Sequence, residues 1–123
     1  MAKRILIGED RAASRELLRT VLEQQGYEVI EACDGEQAIA KAQAELPDLV
    51  LLDLNMPRRN GYEVLNALRD DRRLDATPIV AVTASAMMGD RQKILAAGFN
   101  GYLTKPVSLA VLREEINRLF PSS

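Results

Sequence analysis

The 123-residue sequence contains no histidine and no tryptophan, and it has one cysteine, three tyrosines and two phenylalanines. The missing histidine excludes His-based metal sites, Ser-His and Cys-His nucleophile pairs, and any phosphohistidine carried by the chain itself. With Cys33 alone no internal disulfide can form, which is compatible with a reducing compartment, and the residue reads as a small inert side chain. No apolar stretch approaches the length of a membrane span, and Met-Ala-Lys-Arg runs into a strand without a signal-peptide apolar region, so a cytoplasmic location without membrane contact is expected. Net charge is only -2, which gives no general attraction to nucleic acid and leaves function to a local site. There is no repeat, low-complexity tract or linker, so residues 1–123 are expected to form one domain with a core that needs no staples.

What is present is an alternation of short apolar runs with amphipathic segments. Leu49-Val50-Leu51-Leu52 is too short for a helix and lacks polar alternation, the pattern of a strand buried on both faces. Similar strands are expected at 4–8, 28–31, 78–82 and 101–104. Helical spacing marks Leu17, Leu18, Val21 and Leu22 within 12–25, stopped at Gly26, and Ala38, Ile39, Ala42 and Leu46 between Asp34-Gly35 and Pro47. Asn60 with Glu63 forms a capping-box pattern before Val64, Leu65 and Leu68. A less apolar fourth helix is expected over 86–97, closed by Gly98, and Ser108 can cap a last helix with the stripe Leu109, Leu112, Ile116 and Leu119. Five strand-then-helix units imply an α/β fold, a doubly wound five-stranded parallel sheet, with 2-1-3-4-5 as the favoured strand order.

In that order Glu9, Asp10, Asp53, Thr83 and Lys105 stand at or just past the carboxyl ends of four different strands, where open α/β sheets place their chemistry. Singly they are bland: an acidic pair in a solvated turn, a strand-end hydroxyl, a surface lysine. Together, three carboxylates and one ammonium leave about two negative charges, and two carboxylates some 5 Å apart repel by about 3 kcal/mol at an effective dielectric near 20. A divalent cation would cancel that, and oxygen donors without His or Cys favour Mg²⁺, with Mn²⁺ as a substitute. Magnesium pairs readily with phosphate, for which Thr83 offers a hydroxyl and Lys105 a point charge, and Asp53 is best placed as a nucleophile toward phosphorus.

The sequence resembles the receiver domain of two-component response regulators, close to the stand-alone, CheY-like type with a flavodoxin-like (βα)5 fold. The resemblance covers essentially the whole chain: Ile5-Leu6-Ile7 before Glu9-Asp10, Asp53-Leu54-Asn55-Met56-Pro57 with Gly61, Thr83-Ala84, Ala97-Gly98-Phe99 leading to Tyr102, and Thr104-Lys105-Pro106. It implies that Asp53 accepts a phosphoryl group from a phosphohistidine on a histidine kinase or histidine phosphotransfer protein. It implies that Asp10, Asp53 and the backbone carbonyl of Asn55 hold Mg²⁺, with Glu9 assisting through water. Thr83 and Lys105 would bind phosphoryl oxygens, Tyr102 would swing inward as Thr83 is drawn to the phosphate, and Pro57, Gly61 and Pro106 would be structural, with a Lys105-Pro106 bond that is often cis. Catalysis would be limited to the chain's own phosphorylation and dephosphorylation. Because the sequence ends at Phe120-Pro-Ser-Ser, the signal is expected to pass to another protein through the surface of the fourth helix, fifth strand and fifth helix.

Several positions depart from the family pattern. Arg11 stands where a third acidic residue is frequent and could overhang the metal site. Arg58-Arg59 replace smaller or apolar residues and read as a solvated loop, or as a feature for an acidic partner. Asn60 replaces a common aspartate and keeps the cap, while Asn55 and Ser85 occupy positions that tune acyl-phosphate lifetime. Met87-Met88 fit helix packing or a partner-facing patch. A flavin module would need a Ser/Thr/Gly-rich phosphate loop where Gly8-Glu9-Asp10-Arg11 puts carboxylates, and an aspartyl phosphatase would want an acid at Asn55. A receiver-like interaction module that never carries phosphate is the remaining alternative.

Overall fold

The computed structural model describes residues 2–84 and 88–120, which build five strands and five helices in strict alternation. The strands are β1 (Arg4–Gly8), β2 (Glu28–Ala32), β3 (Leu49–Asp53), β4 (Ile79–Thr83) and β5 (Gly101–Thr104). All pair in parallel, in the order β2-β1-β3-β4-β5. Between and after them run α1 (Ala12–Gln24), α2 (Gly35–Glu45), α3 (Gly61–Arg69), α4 (Met88–Ala97) and α5 (Leu109–Leu119).

The unbroken apolar runs have the expected cause. Leu6, Val50, Leu52, Ile79 and Ala81 pack into one apolar layer with residues of α2, α3 and α4, whereas Ile5, Ile7, Leu49, Leu51, Val80 and Val82 pack with Leu18 and Leu22 of α1 and Leu112 and Ile116 of α5. Successive side chains point to opposite faces, so a strand covered on both sides must be apolar throughout. Among the described residues no helix is long and apolar enough to cross a membrane.

Local signals account for most boundaries. Asn60 and Glu63 form the reciprocal cap, with Glu63 N–H donating to Asn60 Oδ1 at 3.0 Å and Asn60 N–H to Glu63 Oε1 at 3.1 Å. Asp34 caps α2 by accepting from Gln37 N–H at 2.8 Å. Gly26, at φ +93, takes the left-handed conformation that ends α1.

Three helix stripes are narrower than the spacing predicts. Leu17 is 63% exposed, because α1 turns only Leu18 and Leu22 fully onto the sheet. Leu46 lies beyond the end of α2 at φ 48, where Pro47 disfavours a further helical residue. Leu109 is likewise exposed, and Ser108 stands at the N-cap of α5 without a side-chain hydrogen bond to the helix. A short 3-10 turn, Arg72–Leu74, was not expected from the sequence and buries Leu74 under α3. Ser85 and Met87 lie outside the described residues.

Candidate functional site

Five of the expected residues, Glu9, Asp10, Asp53, Thr83 and Lys105, stand at the carboxyl ends of β1, β3, β4 and β5, on one edge of the sheet. Ile7 pairs with Leu51 and Gly8 with Leu52, so Glu9 and Asp10 leave β1 beside Asp53, the last residue of β3. A Cβ at Gly8 would lie 2.9 Å from the tip of the Leu52 side chain, so a larger residue there would require that side chain to shift. Carboxylate oxygens of Glu9, Asp10 and Asp53 all lie within 4.8 Å of one another. Glu9 and Asp53 are buried and Asp10 is exposed, so the cluster has a wet side and a dry side.

Each inner carboxylate is oriented. Asn55 N–H donates to Asp53 Oδ1 at 2.9 Å, and Lys105 Nζ donates to Asp53 Oδ2 at 2.7 Å. Arg11 N–H donates to Glu9 Oε1 at 3.1 Å. Lys105 Nζ also stands 2.8 Å from Glu9 Oε2, but as a charge contact, not an aligned hydrogen bond, so this buried oxygen keeps lone-pair capacity. Thr83, buried at the end of β4, fixes the lysine from the other direction: its carbonyl accepts from Lys105 N–H at 2.8 Å. The Lys105-Pro106 bond that follows is cis.

The charges set the protonation behaviour. Burial, and next the charge of Asp53, push the Glu9 carboxyl above its ordinary range against the opposing pull of Lys105 and the Arg11 N–H. Burial works against the Lys105 ammonium, but its hydrogen bond to Asp53 and its charge contact with Glu9 outweigh it and raise its pKa. Three carboxylates and one ammonium thus leave two negative charges in a partly dry hollow. A buried carboxylate oxygen without an aligned donor, in an all-oxygen set, fits a hard divalent cation such as Mg²⁺.

The loop after β3 is held tightly. Gly61 N–H donates to the Leu54 carbonyl at 3.1 Å, and a Cβ at Gly61 would lie 2.9 Å from Leu54 Cα and 3.0 Å from the Asp53 carbonyl oxygen. Met56 is buried, whereas Asn55 and Pro57 are exposed. Arg58 takes φ 70 and places its guanidinium 3.5 Å from Asp34 and 4.0 Å from Glu36, so this solvated arginine is tied to the start of α2. Arg11 is exposed and stands at the N-cap of α1. Tyr102 lies half-buried on β5, with Arg91 5.5 Å from its ring centre.

Two residues at the back of the site are absent from the sequence reading. Arg15 reaches the Glu9 carbonyl and the side chain of Glu31 on β2. The signal was available, since long helical side chains lean toward the helix N-terminus and Arg15 follows Asp10 by five residues, but its partner strand was only weakly marked.

Residues 5–117 match the family model for the response regulator receiver domain. The chain is 39% identical over 116 residues to the polar-differentiation response regulator DivK of Brucella ovis, with 94% of each chain covered. It superposes on the chemotaxis response regulator CheY4 of Vibrio cholerae with a TM-score of 0.91 and 32% identity, over 97% of this chain and 99% of that one. The receiver domain of a sensor histidine kinase from Pseudomonas aeruginosa, solved with a magnesium ion coordinated in its active-site cleft, gives a TM-score of 0.90 and 34% identity over 99% and 100%.

Proposed function

This chain belongs to the response regulator receiver domain family, and from that premise we propose that it is a phospho-acceptor switch working on Asp53. The observation that carries the proposal is the treatment of that one carboxylate. Oδ1 is held by the Asn55 N–H and Oδ2 by Lys105, which fixes the carboxylate plane while Asp10 leaves the site open to water. In the reaction an Asp53 oxygen attacks the phosphorus of a phosphohistidine on a histidine kinase or histidine phosphotransfer protein. The phosphorus–oxygen bond forms as the donor's phosphorus–nitrogen bond breaks. Lys105 then exchanges Asp53 for a phosphoryl oxygen, and the Thr83 hydroxyl takes another.

Asp10, Asp53 and the Asn55 carbonyl would hold Mg²⁺, with Glu9 acting through water. When bound, the ion would neutralise the negative charge that builds up between the phosphoryl group and the carboxylates. Loss of the Lys105–Asp53 contact and the draw on Thr83 would bias Tyr102 and the α4-β5-α5 surface toward a partner-binding state. The chemistry is confined to the chain's own phosphorylation and hydrolysis. A cytoplasmic setting fits a kinase partner.

Intact mass after incubation with Mg²⁺ and acetyl phosphate tests the proposal. One phosphoryl adduct is expected in the wild type and none in Asp53→Asn. Beryllium fluoride, a stable phosphoryl mimic, covers an adduct too short-lived to weigh. Absence of both responses, or an adduct that persists in Asp53→Asn, refutes it.

A further inference from the structure

Both backbone groups of Glu9 are engaged: its N–H donates to the Ala32 carbonyl at 3.0 Å, and its carbonyl accepts from Arg15 Nη1 at 2.9 Å. Arg15 is itself held. Its Nε donates to Glu31 Oε1 at 3.2 Å, and Arg19 Nη1 holds the other oxygen of Glu31 at 2.9 Å. Glu31 stands opposite Ile7 in the β1–β2 register, and its carbonyl accepts from Lys41, so the anchor belongs to the sheet and not to a free side chain. The Glu9 backbone is therefore held on both sides, by β2 at its N–H and by α1 at its carbonyl, and the Glu9–Asp10 peptide that Arg15 grips joins the two Cα atoms that carry the carboxylate side chains.

We propose that Arg15, anchored by Glu31, is a positioning residue that fixes the Glu9–Asp10 peptide so that the two carboxylates meet Asp53 in a cation-ready arrangement. The inference rests on the magnesium reading above. Its sign separates it from plain electrostatics. A guanidinium bonded to the Glu9 carbonyl is a like charge close to any cation held by Glu9 and Asp10, so on charge alone its removal tightens magnesium binding. If positioning dominates, its removal weakens binding, as loss of groups that orient metal ligands commonly does by about 10–100-fold.

The experiment is calorimetric titration of Mg²⁺ into the whole chain, paired with urea unfolding in EDTA. Wild type is expected to bind Mg²⁺ and Asp10→Asn to lose it. Arg15→Met should weaken binding about ten-fold or more, and Arg15→Lys, which keeps one donor for the Glu9 carbonyl, should recover most of that, to within about three-fold of wild type. Glu31→Gln should fall between. Arg19→Met, which loosens the same glutamate without touching Glu9, should stay within about two-fold. Unchanged or tighter binding in Arg15→Met overturns the inference, as does an equal loss in Arg19→Met, which would mean that destabilisation and not positioning is being read. If Arg15→Met fails to fold, Arg15→Lys and Glu31→Gln decide: wild-type affinity in Glu31→Gln overturns it. If wild type shows no Asp10-dependent binding, the magnesium reading falls and takes this with it. Wild-type binding with an indifferent Arg15→Met sinks only the clamp.

Discussion

Neutralising Asp10 should make the metal-free fold more stable, although it removes a residue of the site. Asp10 stands within 4.8 Å of carboxylate oxygens of Glu9 and Asp53, while Lys105 contacts those two. Asp10 therefore faces two negative charges and one positive, a net of one. A single repulsion at that distance is about 3.5 kcal/mol at an effective dielectric of 20 and about 0.9 kcal/mol in bulk water. Because Asp10 is exposed, the lower end weighs more, and Asp10→Asn should gain about 1–2 kcal/mol, or roughly 4–8 °C in Tm, in EDTA. Magnesium should reverse the ranking by mass action: at about one hundred times Kd the wild type gains about 2.7 kcal/mol and the variant almost none. Urea and thermal unfolding of both proteins, with EDTA and with Mg²⁺, measure all four values. A variant less stable than wild type in EDTA, or one that magnesium stabilises equally, would refute the charge argument.

Glu9→Gln should show its effect through pH. The native carboxyl is raised above its ordinary value near 4.5, so the stability it contributes is complete below that pH and is lost as the pH climbs through the raised value. Urea midpoints in EDTA should coincide for variant and wild type near pH 4 and diverge, with Glu9→Gln the more stable, toward neutrality; divergence in the acid direction contradicts the assignment. Gly35→Ala places a Cβ 2.0 Å from the Arg59 carbonyl oxygen, a backbone atom that cannot yield cheaply, and should cost about 2–3 kcal/mol by urea unfolding while shifting the amide resonances of residues 57–60. Asn60→Ala removes the side-chain oxygen that accepts from Glu63 N–H at the α3 cap and should cost about 1 kcal/mol, with Asn60→Asp close to neutral. Ile94→Ala removes a fully buried side chain under α4 and should cost about 2–5 kcal/mol.

What the sequence could disclose was whatever depends on neighbours along the chain. The continuous apolar runs announce strands covered on both faces, and Asn60-x-x-Glu63 announces a cap, because each signal lies within a few residues. The helix stripes were overread at Leu17, Leu46 and Leu109, since periodicity marks a helix face but not how much of that face the sheet can cover. Contacts between distant segments left no local trace. Arg69 binds the Leu74 and Thr77 carbonyls and Asn100 Oδ1, while Asn100 also accepts from Ile79 N–H, a clasp between elements far apart in the chain. The left-handed backbone at Arg58 was equally hidden, since glycine and not arginine normally advertises it.

Convergence of the site was legible for a geometric reason. A parallel sheet gathers all its carboxyl ends on one edge, so any residue just past an apolar run is a candidate, and strand order alone decides who meets whom. Here β1 lies beside β3, which lets short carboxylates at Glu9 and Asp10 meet Asp53 directly. Strand β4 is the other neighbour of β3, and a short threonine suffices at its end. Strand β5 is two strands away, about 10 Å at the usual spacing, and only a long side chain can cross that gap. The residue there is Lys105, and its Nζ reaches Asp53 Oδ2 at 2.7 Å. Side-chain length at each strand end thus follows lateral distance from Asp53, a relation that alternative strand orders would break: were β5 beside β3, a lysine would overshoot the carboxylate it pairs with.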